Sequence, residues 1–222
     1  MRALLLPIKD LKHAKQRLAS LLTPEERLGL AQAMLTDTIR AVSSTRLAEK
    51  VFVATNYEPA IRTAKDNGWE VLREECQVSE SASVDWASRI CAQKNITGLL
   101  RLPLDLPLVQ SVDLDELLAV GSTAPAVVMV PSRDGTGTNA ILRMPPALFP
   151  SHFGEGSFAK HLTEAEAAGA RIIIRRNARL EMDVDDESDL RALLQHDLSG
   201  TQTGRWLAES GVAERFTAAT LQ

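Results

Sequence analysis

The run Leu99–Val109, reading Leu-Leu-Arg-Leu-Pro-Leu-Asp-Leu-Pro-Leu-Val, leaves little choice of fold class. A short, nearly continuous apolar run fits a strand buried on both faces of a parallel sheet. Pro103 and Pro107 cannot continue a central ladder. The strand therefore stops near Leu102 and presents Asp105 just past its carboxyl end, the edge where open α/β sheets bind ligands. A turn that happens to contain an Asp is the competing reading. A second acidic cluster, Asp183-Val184-Asp185, also follows an apolar run and favours the ligand-binding edge.

The rest of the chain alternates strand-like and helix-like segments. Strands are expected at Arg2–Leu6, Val51–Ala54, Glu70–Leu72, Ala126–Val130, Ala140–Leu142 and Arg171–Ile174, with Leu180–Val184 as a further candidate. Thr23-Pro24-Glu25-Glu26 supplies an N-cap, a first-turn proline and a capping-box Glu. The helix it opens sets Leu28, Ala31, Leu35 and Val42 close to one face. Further helices are expected over Pro59–Asn67, closed by Gly68, over Ser83–Gln93 and Leu114–Val120, from Ser157 to Gly169, and over Glu187–Leu194. Strands separated by helices predict one three-layer α/β/α domain over residues 1–222 with a mostly parallel, Rossmann-like sheet. The small, polar residues 198–222 read as a loosely attached C-terminal tail with a short helix around Arg205–Glu209.

Charge and composition exclude several classes of function. Net charge is −4, so no global basic field points to nucleic acid. No apolar run approaches the roughly 18–20 residues that span a bilayer, and the apolar start at Met1–Pro7 is too short for a signal peptide. Two cysteines, Cys76 and Cys91, lack metal-ligand spacing, and a reducing cytoplasm is the expected home. The oligomeric state is not legible; a homodimer is compatible with the sequence.

Four stretches carry residues suited to chemistry. Lys9, Lys12, Lys15 and Arg17 share one loop after the first strand, and a triphosphate needs such charge. The loop has no glycine, so a P-loop cradle is absent, and a solvated basic loop is the alternative. Asp105, Asp183 and Asp185 form the second group. In extended chain, residues two apart point the same way. Two carboxylates about 4 Å apart repel by roughly 4 kcal/mol at an effective dielectric near 20, a cost that a hard divalent cation such as magnesium removes. Asp186 is expected only to cap the following helix. The stretches Pro131–Asn139 and Phe153–Phe158 supply glycines, hydroxyls and a helix start, all suited to anions. His13 and His161 are expected to be packing or solvent-facing residues rather than catalysts.

At these residues the chain resembles the guanylyltransferases of deazaflavin-coenzyme biosynthesis, known as CofC or FbiD, within the nucleotidyltransferases of GT-A-like fold. The resemblance runs from Pro7 to about Leu194. Its pieces are Pro-Ile-Lys with Ala-Lys-Gln-Arg-Leu (Ala14–Leu18), Asp-Leu-Pro-Leu (Asp105–Leu108), Arg-Asp-Gly-Thr-Gly-Thr-Asn (Arg133–Asn139), Phe-Gly-Glu-Gly-Ser-Phe (Phe153–Phe158) and Asp-Val-Asp (Asp183–Asp185). It implies transfer of GMP from GTP to a small phosphorylated carboxylic acid, such as 2-phospholactate, phosphoenolpyruvate or 3-phosphoglycerate, with release of pyrophosphate. It also implies magnesium on Asp105, Asp183 and Asp185, and the acid on Thr138, Gly154 and Ser157. Lys9, Lys15 and Arg17 are then expected to bind the triphosphate and stabilise its charge. The family's Gly-Leu-Asn entering the third helix is matched here by Ser83-Val84-Asp85, which makes Asp85 a candidate reader of guanine, with an exposed first-turn residue favoured by the helix dipole as the competing reading. Nucleotidyl transfer to a sugar phosphate or molybdopterin, glycosyl transfer, and catalytically silent nucleotide binding remain as alternatives.

Overall fold

The computed structural model describes residues 1–121 and 123–218. Seven strands form one sheet: β1 (Arg2–Pro7), β2 (Lys50–Thr55), β3 (Glu70–Arg73), β4 (Gly98–Arg101), β5 (Ala126–Pro131), β6 (Thr138–Met144) and β7 (Arg171–Ile174). Their order is β3-β2-β1-β4-β6-β5-β7. All neighbours are parallel except β6, which runs antiparallel to β4 and β5. This is the expected mostly parallel α/β sheet, with one reversal. Because β6 is reversed, its amino-terminal end, carrying Thr138 and Asn139, lies beside the carboxyl end of β4.

The side chains of β1 alternate between two cores, as a period of two requires. Leu4 and Leu6 pack with α1 (Pro24–Ser43), α2 (Glu58–Asp66) and α4 (Ser111–Leu118). Ala3 and Leu5 pack with Phe52 and Val84, Ala87 and Cys91 of α3 (Glu80–Gln93). On this second face α5 (Ser157–Ala167) covers Val127, Met129 and Ile141. No helix of the described residues is long and apolar enough to cross a membrane.

Local signals set the helix ends. The Thr23 hydroxyl accepts from the Glu26 N–H while the Glu26 carboxylate accepts from the Thr23 N–H, closing the expected capping box on α1. Asp186 caps α6 (Glu187–Leu193) by accepting from the Asp189 N–H. Helix α3 starts earlier than expected, at Glu80, because Ser79 accepts from the Ala82 N–H.

Three expectations need correction. Leu180–Val184 forms no strand: it is irregular chain whose Leu180, Met182 and Val184 are buried in the core. The inward face of α1 is centred on Leu30, Met34, Thr38 and Ala41, leaving Leu28 and Leu35 at its margins. The C-terminal residues through Phe216 are not a loose tail. Helix α7 (Gln202–Glu209) packs on α1, and Leu207, Val212 and Phe216 join Leu30, Met34 and Leu190 in a further apolar core. Asp37 of α1, 1% exposed, accepts from the Gln202 and Thr203 N–H groups and from the Thr203 hydroxyl, which ties the two helices together. The end of that tail, 219–222, lies outside the described residues.

Candidate active site

Two adjoining cavities open at the carboxyl edge of β1 and β4, and Glu80, Arg101, Pro103 and Asp105 border both. The smaller, about 390 Å³, is lined by Lys9, His13 and Lys15 of the basic loop. The larger, about 920 Å³, is lined by Arg17, by the loop from Ser132 to Asn139, by Phe153–Ser157 and by Asp183 and Asp185. The expected basic cluster is therefore divided. Lys9 and Lys15 face one cavity, whereas Arg17 faces the other and pairs with Asp186 at 2.5 Å.

Lys15 holds the centre. Its backbone is left-handed (φ 55°), between the short 3-10 turns Leu11–His13 and Gln16–Leu18. Its Nζ lies 2.8 Å from Asp105 Oδ2 and 2.9 Å from Asp185 Oδ1. Burial alone would lower the ammonium pKa, but the charges and hydrogen bonds of the two carboxylates outweigh it and raise the value. Asp105 responds in the opposite sense: burial favours its neutral form, and the Lys15 and Arg101 charges prevail and lower its pKa.

Asp183 has no such cation. Burial first, then the negative charges of Asp105 and Asp185, push its carboxyl up to about 6, against a hydrogen bond from Asn139 Nδ2 at 3.1 Å. The three expected carboxylates thus converge on one cleft, but not as a ready-made cage. Among the described residues no group of three or more His, Cys, Asp or Glu is arranged to hold a metal, and the Lys15 ammonium bridges two of the three. The donor set itself, hard carboxylate oxygens with one charge uncompensated, fits a divalent cation.

On the far side of the larger cavity, Thr138, Gly154 and Ser157 come together. Ser157 opens α5 and is 2% exposed, with its Oγ 3.3 Å from Thr138 Oγ1. Gly154 (φ 114°) and Gly156 (φ 65°) take conformations that a side chain would strain, and they shape the turn that lines the cavity, while the Ser157 and Phe158 N–H groups at the start of α5 donate to the Gly154 and Thr136 carbonyls. Asp134 organises the facing loop: hydrogen bonds from the Ser132 hydroxyl and the Thr136 N–H hold its carboxyl down to about 2.

Asp85 stands apart from these groups, which corrects its expected role. It borders neither cavity; its carboxylate accepts from the Ser151 N–H at 3.0 Å and pairs with the buried guanidinium of Arg143. Its acceptors are committed to folding.

Other cleft residues escaped the sequence reading. Arg101, 5% exposed, ends β4, pairs with Glu80, donates to the Asn139 carbonyl at 3.0 Å and stacks 4.1 Å over the Phe153 ring. Burial lowers its pKa to about 10, which the nearby Asp105 and Asp183 charges oppose. An arginine inside an otherwise apolar strand run was the available signal. His161, expected to be a packing or solvent-facing residue, is packed: it is 0% exposed and lies under Thr138, and one histidine on a helix gave no hint of that neighbour.

Residues 1–220 match the family model described as guanylyl transferase CofC like. The phosphoenolpyruvate guanylyltransferase of Rubrobacter xylanophilus is 34% identical over 187 residues, 84% of this chain and 90% of the relative. The 2-phospho-L-lactate guanylyltransferase of Methanothermobacter thermautotrophicus is 32% identical over 203 residues, 91% of this chain and 88% of the relative. The fold is shared with a Desulfovibrio desulfuricans G20 protein described as a nucleotide-diphospho-sugar transferase (TM-score 0.74, 15% identity, 96% of each chain). It is also shared with a cytidylyltransferase of Leptospira borgpetersenii (TM-score 0.57, 14% identity, 96% of this chain and 95% of that one). With a family match that spans nearly every residue and relatives 32–34% identical over most of its length, this chain belongs to the CofC-like guanylyl transferase family.

Proposed function

We propose that this chain transfers GMP from GTP to a small phosphorylated carboxylic acid and releases pyrophosphate, within deazaflavin-coenzyme biosynthesis. The observation that carries the reading is the arrangement of two anion-suited cavities on either side of one cluster in which a buried Lys15 joins Asp105 and Asp185. A phosphate oxygen of the acid attacks the α-phosphorus of GTP in line, and the bond from that phosphorus to the bridging oxygen of pyrophosphate breaks. The nucleophile is already anionic, so no general base is required. Lys9 and Lys15 meet the triphosphate and oppose the charge that gathers on it. Thr138, Ser157 and the turn at Gly154 hold the acid's phosphate, with Arg17 on the same side.

Asp105, Asp183 and Asp185 would hold magnesium, which would supply Lewis-acid stabilisation of phosphoryl oxygens. Lys15 would then pass from its two carboxylates to the triphosphate.

The test is pyrophosphate release from GTP with phosphoenolpyruvate, 2-phospholactate and 3-phosphoglycerate in turn. Release with at least one acid is expected, and Ser157→Ala should raise the KM for that acid while leaving the KM for GTP nearly unchanged. Turnover with a sugar phosphate or a nucleotide sugar instead of all three acids would overturn the reading.

A further inference from the structure

Beneath the larger cavity lies a buried histidine that the reaction does not use as a base. His161 sits in α5 at 0% exposure, its ring held by Phe153 at 5.1 Å between centroids and by Phe149 at 6.2 Å. Each of its nitrogens has one partner. The backbone N–H of His152 donates to Nε2 at 2.9 Å. Nδ1 lies 3.0 Å from Thr138 Oγ1.

These two contacts determine where the ring proton is. A backbone N–H can only donate, so Nε2 must be an unprotonated acceptor. A neutral ring then carries its one proton on Nδ1 and donates it to Thr138 Oγ1. Burial first, and then the charges of Arg143 and Arg101, lower the ring's pKa to about 3, so it stays neutral at any working pH.

The consequence falls on two hydroxyls. Thr138 and Ser157 are 3.3 Å apart at the cavity wall, and each hydroxyl has one proton to give. With Nδ1–H donating inward, Thr138 has no acceptor beneath it. Whichever hydroxyl donates to the other, one O–H of the pair is left over and is directed to the cavity. The opposite tautomer would reverse this, because Thr138 would spend its proton on Nδ1.

We propose that His161 is a positioning residue for the acceptor phosphate: held as the Nδ1–H tautomer by the His152 N–H, it commits the Thr138–Ser157 pair to donating a hydrogen bond into the larger cavity. This rests on the reading that the larger cavity takes the phosphorylated acid. It adds a dependence of that site on a residue the ligand never touches.

Two substitutions separate positioning from packing, because each keeps one nitrogen's place. The amide nitrogen of His161→Asn falls near Nδ1 and still donates to Thr138, whereas the amide of His161→Gln reaches the place of Nε2 and abandons Thr138. With phosphoenolpyruvate and 2-phospholactate as the acids, H161Q should raise the acid KM about tenfold and H161N less than about threefold, both with the GTP KM within about twofold of wild type. On a Thr138→Val background, H161Q should add nothing further. Equal effects of H161N and H161Q on the acid KM, or additivity with T138V, would overturn the proposal and leave the assignment of the cavity standing. An acid KM untouched by T138V itself would instead remove that assignment, and the proposal with it. The wild-type protein gives an answer that needs no variant: ¹⁵N chemical shifts of the His161 ring should show Nδ1 protonated and Nε2 bare, and a protonated Nε2 would overturn the proposal.

Discussion

The ammonium of Lys15 stands 2.8 Å from the carboxylate of Asp105, 90 residues away in the chain, at the meeting point of both cavities. The Lys15 side chain is 8% exposed and that of Asp105 25%, whereas Asp185, its other partner, is 45% exposed. The pair is a local counter-ion arrangement. It holds two carboxylates together that would otherwise repel each other.

Removing that counter-ion should therefore cost stability and create a demand for another cation. Lys15→Met leaves the half-buried Asp105 without its closest counter-ion, at a cost of about 2–3 kcal/mol, the lower range for breaking a buried pair because both carboxylates are partly solvated. If Asp105, Asp183 and Asp185 can hold magnesium, the ion should restore part of this loss and raise the Tm of the variant by more than it raises that of the wild type. Thermal unfolding of both proteins with and without magnesium makes the comparison. Equal magnesium shifts would count against a cation on the trio.

Asp183 connects stability with pH in the unusual direction for a carboxylate. Its folded pKa, raised to about 6 by burial and by the Asp105 and Asp185 charges, lies above the unfolded value of about 3.9. Between these values the folded protein binds more protons than the unfolded chain, so this group's contribution falls as pH rises from about 4 to about 6 and stays low above that. Asp183→Asn retains an acceptor for Asn139 Nδ2 and removes the charge. The variant should be more stable than wild type by about 1–2 kcal/mol at pH 7–8 and lose that advantage near pH 4. Its turnover should fall by about two orders of magnitude or more if the carboxylate contributes to the electrostatics of transfer. Denaturant unfolding at several pH values checks the first statement; an advantage independent of pH would contradict it.

Much of this was open to reading in the sequence where the signal is local. Pro103 stops β4 and leaves Asp105 at the sheet edge. Thr23 with Glu26, and Asp186 before α6, state their capping roles within four residues. Partners far apart in sequence were not legible. Lys15 meets Asp185 across 170 positions, and a periodic pattern carries no information about which buried cation meets which buried anion. The C-terminal helices misled for a related reason. Their small, polar composition hides how well a short apolar stripe and one buried Asp37 can attach them to α1. Leu180–Val184 has the alternation of a strand but enters no ladder, and its apolar side chains are buried without one.

Asp85 provides the sharpest separation between a reading by motif position and a reading by contact. Its place in the stretch Ser83-Val84-Asp85 suggested a carboxylate facing guanine. In the fold it faces inward, accepting from the Ser151 N–H at 3.0 and 3.1 Å and pairing with Arg143, whose side chain is 3% exposed. Arg143 in turn donates to the Phe149 carbonyl at 2.6 Å and to the Ser88 hydroxyl at 2.8 Å, so the carboxylate completes a buried network that fixes the segment leading to Phe153 and Gly154. Asp85→Ala would leave a buried guanidinium without its counter-charge and a backbone N–H without an acceptor. That should cost about 2–4 kcal/mol of folding stability. Asp85→Asn, which keeps an acceptor for Ser151, should cost less. Neither change should alter the ratio of kcat/KM for GTP and ATP by more than about twofold, since lost hydrogen bonds to a base would change it by tenfold or more. Chemical denaturation and the two nucleotide efficiencies, measured on the same preparations, decide between the roles. A lowered GTP preference with unchanged stability would return Asp85 to the base.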